Sequence, residues 1–196
     1  MFEVRIHGRG GQGVVTAAGL LSVAAFLDGK YAQAFPSFGS ERTGAPVAAF
    51  CRIDDKEIRL REPVTRPDAL IVQDATLLHQ VAVFDGVAPS GYLLINSMRT
   101  LTQLGLGDFV EQFRPERVLA VPATDLAREH LGRPVPNMVL LGAFAALTGQ
   151  VSRDSMVAAI HERFTGTVAD GNVAAVRSAF DYVRTEVGGL TDVAPN

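Results

Sequence analysis

The hexapeptide Gly8-Arg9-Gly10-Gly11-Gln12-Gly13 constrains this chain more than any other stretch, because it joins a strand-like pattern to a helix-like one. Upstream, Phe2, Val4 and Ile6 alternate with Glu3, Arg5 and His7, the period of a strand with one buried face. Downstream, from Val14 to Phe26, Thr16 and Ser22 interrupt an otherwise apolar run, which predicts a helix buried on most sides. Gly8, Gly10 and Gly13 fit the G-x-G-x-x-G spacing, in which backbone turns tightly, approaches a ligand closely and starts a helix without interference from a Cβ. A helix N-terminus with free N–H groups behind flexible glycines is suited to an anion, phosphate above all. The alternative is that the glycines serve only close strand-to-helix packing. In dinucleotide-binding units an acid about 20 residues further on holds the ribose at a strand end. The nearest acid here, Asp28, precedes Gly29 at a helix end instead. A free-standing Rossmann-like nucleotide-binding protein or NAD-dependent oxidoreductase is therefore the second reading.

A chain of 196 residues, 47% hydrophobic and 20% charged, has material for one core, and we expect a single domain over residues 1–187 with a flexible tail at 188–196. The net charge is -3 and no run of Lys and Arg stands out, which argues against nucleic acid as a partner. The apolar run at 14–26 is too short to span a bilayer and the N-terminus has no signal-peptide pattern, so neither membrane nor export is expected and the cytoplasm is. The single cysteine, Cys51, excludes an internal disulfide and an iron–sulfur cluster held by this chain alone, which needs about four thiolates. His7, His79, His130 and His161 lack metal-ligand spacing, so no metal site is expected.

Further along, Ala45 to Ile53 and the alternating Ile58 and Leu60 read as a hairpin across Asp54-Asp55-Lys56-Glu57. Ala69 to Val72 and Tyr92 to Ile95 read as strands buried on both faces, ending in Gln73-Asp74 and Asn96-Ser97, where α/β folds place ligands. Leu77 to Val83 reads as a helix, Arg117 to Val121 as a strand, and Thr124 as the N-cap of a short helix stopped by Gly132. Asn137 to Leu147, Ser152 to Phe164 and Gly171 to Val187 read as helices; in the last, Arg177, Asp181 and Arg184 are spaced to pair. The alternation predicts a three-layer α/β/α domain with a mixed, mostly parallel sheet including one β-hairpin, and a helical C-terminal third. Asn137, at a helix start, is expected as an N-cap, with ligand contact as the other option.

With both loops in view, the chain resembles the gamma subunit of 2-oxoacid:ferredoxin oxidoreductases of the pyruvate synthase type. The resemblance rests on the glycine loop with Thr16-Ala17-Ala18, on the block from Ala34 through Pro36-Ser37-Phe38-Gly39-Ser40-Glu41-Arg42-Thr43-Gly44 to Pro46, on Arg52-Ile53 and Pro67-Asp68, and on Gly132-Arg133-Pro134, Pro136-Asn137 and Leu141-Gly142-Ala143. It implies a subunit that is not catalytically competent alone. In such complexes alpha and beta subunits hold thiamine diphosphate with Mg²⁺, a delta-type ferredoxin-like subunit carries iron–sulfur clusters, and a nicotinamide-reducing subunit is a further option. The gamma subunit covers the active site and helps form the coenzyme A site, in an oxidative decarboxylation of a 2-oxoacid, pyruvate by default, to acyl-CoA. On that basis Arg9, Gly10, Gly11, Gln12 and Gly13 are candidate phosphate contacts. Ser37, Ser40, Glu41 and Arg42 are candidates in the second loop, where Arg42 could grip a phosphate or carboxylate with two parallel hydrogen bonds. Asn96 and Asn137 complete the set. Phe35 and Phe38, flanking Pro36, are expected to be covered by a partner subunit.

Overall fold

The computed structural model describes residues 1–37 and 43–193, with side chains to residue 190. Its centre is a six-stranded sheet in the order β2-β3-β1-β4-β5-β6. The strands are β1 (Phe2–Arg9), β2 (Tyr31–Pro36), β3 (Pro46–Asp54), β4 (Ala69–Val72), β5 (Tyr92–Asn96) and β6 (Val118–Val121). β1, β4, β5 and β6 are parallel neighbours, with Val4 beside Ala69, Ala69 beside Tyr92 and Leu93 beside Val118. β3 runs antiparallel to both β1 and β2, so β2 points the same way as β1.

The sheet is mixed and the fold is α/β, as the sequence predicts, but the hairpin is displaced. It is formed by β2 and β3, and residues 55–61 contribute no strand. The carbonyls of Leu60 and Glu62 accept from the buried Arg52 guanidinium instead, which takes this backbone out of any ladder. The segment expected as a helix at Leu77 to Val83 is a 3₁₀ turn over Ala75–His79, started by Asp74, whose side chain accepts from the Thr76 N–H. Beyond it the Gln80 and Val81 N–H groups both donate to the Leu77 carbonyl and the Val83 N–H to that of Val81, a series of turns, and the Val83 and Asp85 carbonyls accept from Arg5.

The helices are α1 (Val14–Leu27), α2 (Gly107–Val110), α3 (Ala123–Leu131), α4 (Asn137–Thr148), α5 (Arg153–Arg163) and α6 (Gly166–Val193). The three layers are unequal. One face of the sheet, presenting Val4, Ile6, Cys51, Ile71 and Leu94, packs on α1, α4, α5 and α6 in one core. The other, presenting Leu70, Val72, Leu93 and Ile95, is covered by Leu77, Val83, Leu104, Leu106 and Phe113 from short turns and irregular segments. α1 is less enclosed than its composition predicts: Val14, Ala17, Ala18, Leu21 and Ala24 are buried, but Val15, Phe26 and Leu27 are exposed.

α6 runs on to Val193, past Gly188 where the sequence predicts a frayed tail. Near its end Leu190 lies with Pro115, Val118 and Leu119 around one groove, which gives the last turns a packing partner. Asp181 of α6 lies 3.7 Å from Arg153 of α5, an ion pair between helices rather than the expected one along α6. Phe35 is half-buried, with its ring centroid 5.2 Å from that of Phe50 and the Arg52 guanidinium 5.1 Å from it; Phe38 lies outside the described residues. No helix among the described residues is long and apolar enough to cross a membrane.

Candidate functional site

The carboxyl ends of β1, β4 and β5 form the one place where this topology divides. From β1 the chain departs through α1 to β2 on one side, whereas β4, β5 and β6 follow in order on the other. Open α/β sheets bind ligands in the crevice at such a division. The glycine loop lies over it. Gly11 and Gly13 have φ of 92° and 72°, a left-handed backbone that favours glycine, and Gly13 is the residue before α1. The first helical bond runs from the Ala17 N–H to the Gly13 carbonyl, so the N–H groups of Val14, Val15 and Thr16 lie outside the helical ladder at its positive end.

Arg9 and Gln12 sit in this loop as expected, but their side chains point into the protein. Arg9 Nε donates to Asp74 Oδ2 at 3.0 Å, Nη1 to the Gly44 carbonyl at 3.0 Å, and Nη2 to Thr76 Oγ1 and Gln80 Oε1, each at 2.7 Å. Gln12 Oε1 accepts from the Arg9 N–H at 2.7 Å and its Nε2 donates to Asp74 Oδ2 at 3.0 Å. Burial raises the Asp74 carboxyl, but hydrogen bonds from Thr76 and Gln12 and the Arg9 charge outweigh it and hold it below the usual carboxylate range. Asp74 is therefore an anionic anchor that fixes both side chains. Gly10 is clamped through its backbone, donating to the Ala45 carbonyl at 2.9 Å and accepting from the Gly44 N–H at 3.0 Å.

The two asparagines prove to be braces. Asn96 Oδ1 accepts from the Thr124 N–H at 3.1 Å, and its Nδ2 donates to the Gln73 carbonyl and to Thr124 Oγ1, each at 2.8 Å. The start of α3 is thus capped by a side chain from β5, not by Thr124. Asn137 is not the residue before α4 but the first within it; its Oδ1 accepts from the Met138 N–H and its Nδ2 donates to the Gly13 carbonyl at 3.4 Å. It joins α4 to the end of the glycine loop. Ser37 continues the β2–β3 ladder through its N–H to the Ala48 carbonyl, two strand spacings or about 10 Å from β1 at the same end of the sheet. Ser40, Glu41 and Arg42 lie outside the described residues.

Gln73, which the sequence places at a strand end suited to ligands, is missing from the candidate set. It follows β4, is 1% exposed, and neither its Oε1 nor its Nε2 has a hydrogen-bond partner among the described residues. A Cβ placed on Gly8 would lie 3.1 Å from Gln73 Oε1 and 3.1 Å from Gln12 Oε1, so the two amides flank that glycine. The available signal was an amide closing an all-apolar strand.

The other titratable candidates among the described residues are engaged within the fold. Burial pushes the Cys51 thiol up to about 12, so it stays protonated at neutral pH. Among the described residues no group of three His, Cys, Asp or Glu could hold a metal ion. Asp28, the nearest acid for a ribose, accepts instead from Ser152 N–H, Ser152 Oγ and Ser155 Oγ at 2.6–2.7 Å.

Fold and crevice together define an α/β domain of the class that places ligands at the carboxyl ends of its strands. The chain belongs to the pyruvate ferredoxin/flavodoxin oxidoreductase family, whose model matches residues 3–182, and is a gamma subunit of a multi-subunit 2-oxoacid:ferredoxin oxidoreductase. It is 47% identical to the pyruvate synthase subunit PorC of Methanothermobacter marburgensis over 184 residues, 94% of this chain and 98% of that one. The crystal structure of the pyruvate oxidoreductase subunit PORC of Thermotoga maritima is 37% identical with a TM-score of 0.76, covering 92% of this chain and 95% of that chain. The fold recurs, at 20% identity and a TM-score of 0.71, in the 2-oxoglutarate:ferredoxin oxidoreductase of Magnetococcus marinus, solved with 2-oxoglutarate, coenzyme A and succinyl-CoA bound; 99% of this chain corresponds to 32% of that one.

Proposed function

We propose that this subunit covers the active site of its complex and supplies part of the coenzyme A site at the crevice under the glycine loop. The reaction is oxidative decarboxylation of a 2-oxoacid, pyruvate by default, with coenzyme A as acyl acceptor and ferredoxin as electron acceptor, in the cytoplasm. The observation that carries this reading is the glycine-lined start of α1 beside the unpartnered amide of Gln73, a cradle of backbone donors with a polar group held ready within it. Coenzyme A fits such a place because it carries phosphates for the positive helix end and amide and adenine groups for the amide. Its presence in the Magnetococcus enzyme of like fold is consistent with this.

Within the reading, Arg9 and Gln12 shape the loop, their donors being taken by Asp74, Gly44, Thr76 and Gln80. The Gly10 N–H is taken by the Ala45 carbonyl, so the phosphate contacts fall to the backbone of Gly11 and Gly13 and to the first turn of α1, with Ser37, Ser40, Glu41 and Arg42 as further contacts from the second loop. Asn96 and Asn137 hold the crevice walls in place. Thiamine diphosphate with Mg²⁺ on alpha and beta subunits supplies the carbanion chemistry, and clusters on a delta-type subunit carry the electrons away. The test is amide hydrogen exchange in the assembled complex with and without coenzyme A. Exchange at residues 10–16 slows on addition if the reading is right; unchanged exchange there defeats it.

A further inference from the structure

A buried side-chain amide with a free donor and a free acceptor is costly to keep, because both groups have left water without replacing its hydrogen bonds. Gln73 is such a group. The peptide on either side of its side chain is satisfied: its N–H donates to the His7 carbonyl at 2.8 Å and its own carbonyl accepts from Asn96 Nδ2 at 2.8 Å. Only the Oε1 and Nε2 are left over, at 1% exposure, against the glycine loop. An apolar side chain of similar length would fill the same space without that cost.

We propose that the Gln73 amide is a specificity-determining contact for coenzyme A, pairing with a ligand group that presents a hydrogen-bond donor and acceptor side by side. This rests on the coenzyme A reading above and names the residue that reads the ligand inside the crevice. Oε1 accepts from the ligand and Nε2 donates to it, which a phosphate, having acceptors only at neutral pH, does not satisfy. Two parts of coenzyme A carry the matching pair: the N–H of one pantetheine amide together with the C=O of the next, and the amino edge of the adenine. The ligand reaches the amide from the side of the glycine loop, against which that amide lies at Gly8. A site built around a paired amide rejects a ligand that lacks the complementary groups far better than an apolar site does.

The test uses the assembled complex carrying Gln73→Met or Gln73→Asn. Gln73→Met is expected to raise the dissociation constant and the KM for coenzyme A roughly tenfold while changing kcat less, with Gln73→Asn between it and the parent. Inhibition by pantetheine and by adenosine 3′,5′-bisphosphate, measured against coenzyme A, identifies the part that is read: the fragment that loses affinity in Gln73→Met is the one in contact. Coenzyme A and both fragments binding to Gln73→Met as to the parent would overturn the proposal. So would a Gln73→Met chain with a lower unfolding midpoint, since that would mean the amide already has a partner whose loss is felt. Slowed exchange at residues 10–16 together with an unaltered Gln73→Met defeats only the role of Gln73, whereas absent protection defeats the coenzyme A reading beneath it.

Discussion

On the face of the sheet that carries α1, α4, α5 and α6, contact is made by alanines, a glycine and branched aliphatic side chains. On the opposite face, alongside β1 and β3, it is made by guanidinium groups. The difference is clearest at two positions. Gly142 of α4 sits directly against the Val176 backbone of α6, where a Cβ would collide with main-chain atoms. Arg52 of β3 is 2% exposed and holds Glu3 Oε1 at 2.7 Å together with the carbonyls of Leu60 and Glu62. Helices close their own backbone hydrogen bonds and can be laid on a sheet by shape alone; irregular segments cannot, and their carbonyls must be met by side chains. The arginines of β1 and β3 are what allow a layer without long helices to be buried.

This contrast can be broken in measurable ways. Arg52→Met removes the donors to two carbonyls and to Glu3, and should cost about 3 kcal/mol in a denaturant titration, the largest single effect expected. A cost below that of any helix-face substitution would mean that the irregular layer stands without its guanidinium. Gly142→Ala should cost about 2 kcal/mol by forcing α4 and α6 apart, with the loss appearing in the unfolding midpoint and an unchanged slope. If it were neutral, the helix face would be looser than its geometry.

A further effect concerns pH. Burial, then the neighbouring Arg5 charge, lowers the His7 imidazole from its ordinary 6.5 to about 4, and its Nε2 has no partner among the described residues. A base whose folded value is depressed adds stability that is complete above 6.5 and is lost progressively as pH falls towards 4, because only the unfolded chain takes up the proton in that interval. The unfolding midpoint should therefore decline between those limits, and His7→Leu should flatten the decline. An identical slope in the variant would show that His7 is not held neutral.

The same contrast explains what could be read from the sequence. Ala69 to Val72, Tyr92 to Ile95 and Asn137 to Leu147 emerge as predicted because an uninterrupted apolar run of given length leaves few alternatives. Ile58 and Leu60 alternate with arginines as a strand would, yet form none, because the decision lies with Arg52. Leu77 to Val83 gives a series of turns instead of a helix, and its last carbonyl meets the distant Arg5. At the crevice the glycines were legible from their spacing, and their left-handed backbone follows from it. The allegiance of Arg9 to Asp74, 65 residues away, and of Asn96 to Thr124, 28 away, was not, since local pattern carries no information about partners brought together by the sheet.

A ribosome adds Arg9 before any of the groups its guanidinium binds, since Gly44, Asp74, Thr76 and Gln80 follow 35 to 71 positions later. Closing loops of that length is entropically uphill until other contacts repay it. β1 and α1 are therefore synthesised, and available to pair, well before anything exists to hold the turn between them. The glycine loop is made before the groups that shape it, and a polypeptide cut short before β4 keeps its glycines but lacks the Asp74, Thr76 and Gln80 that arrange them.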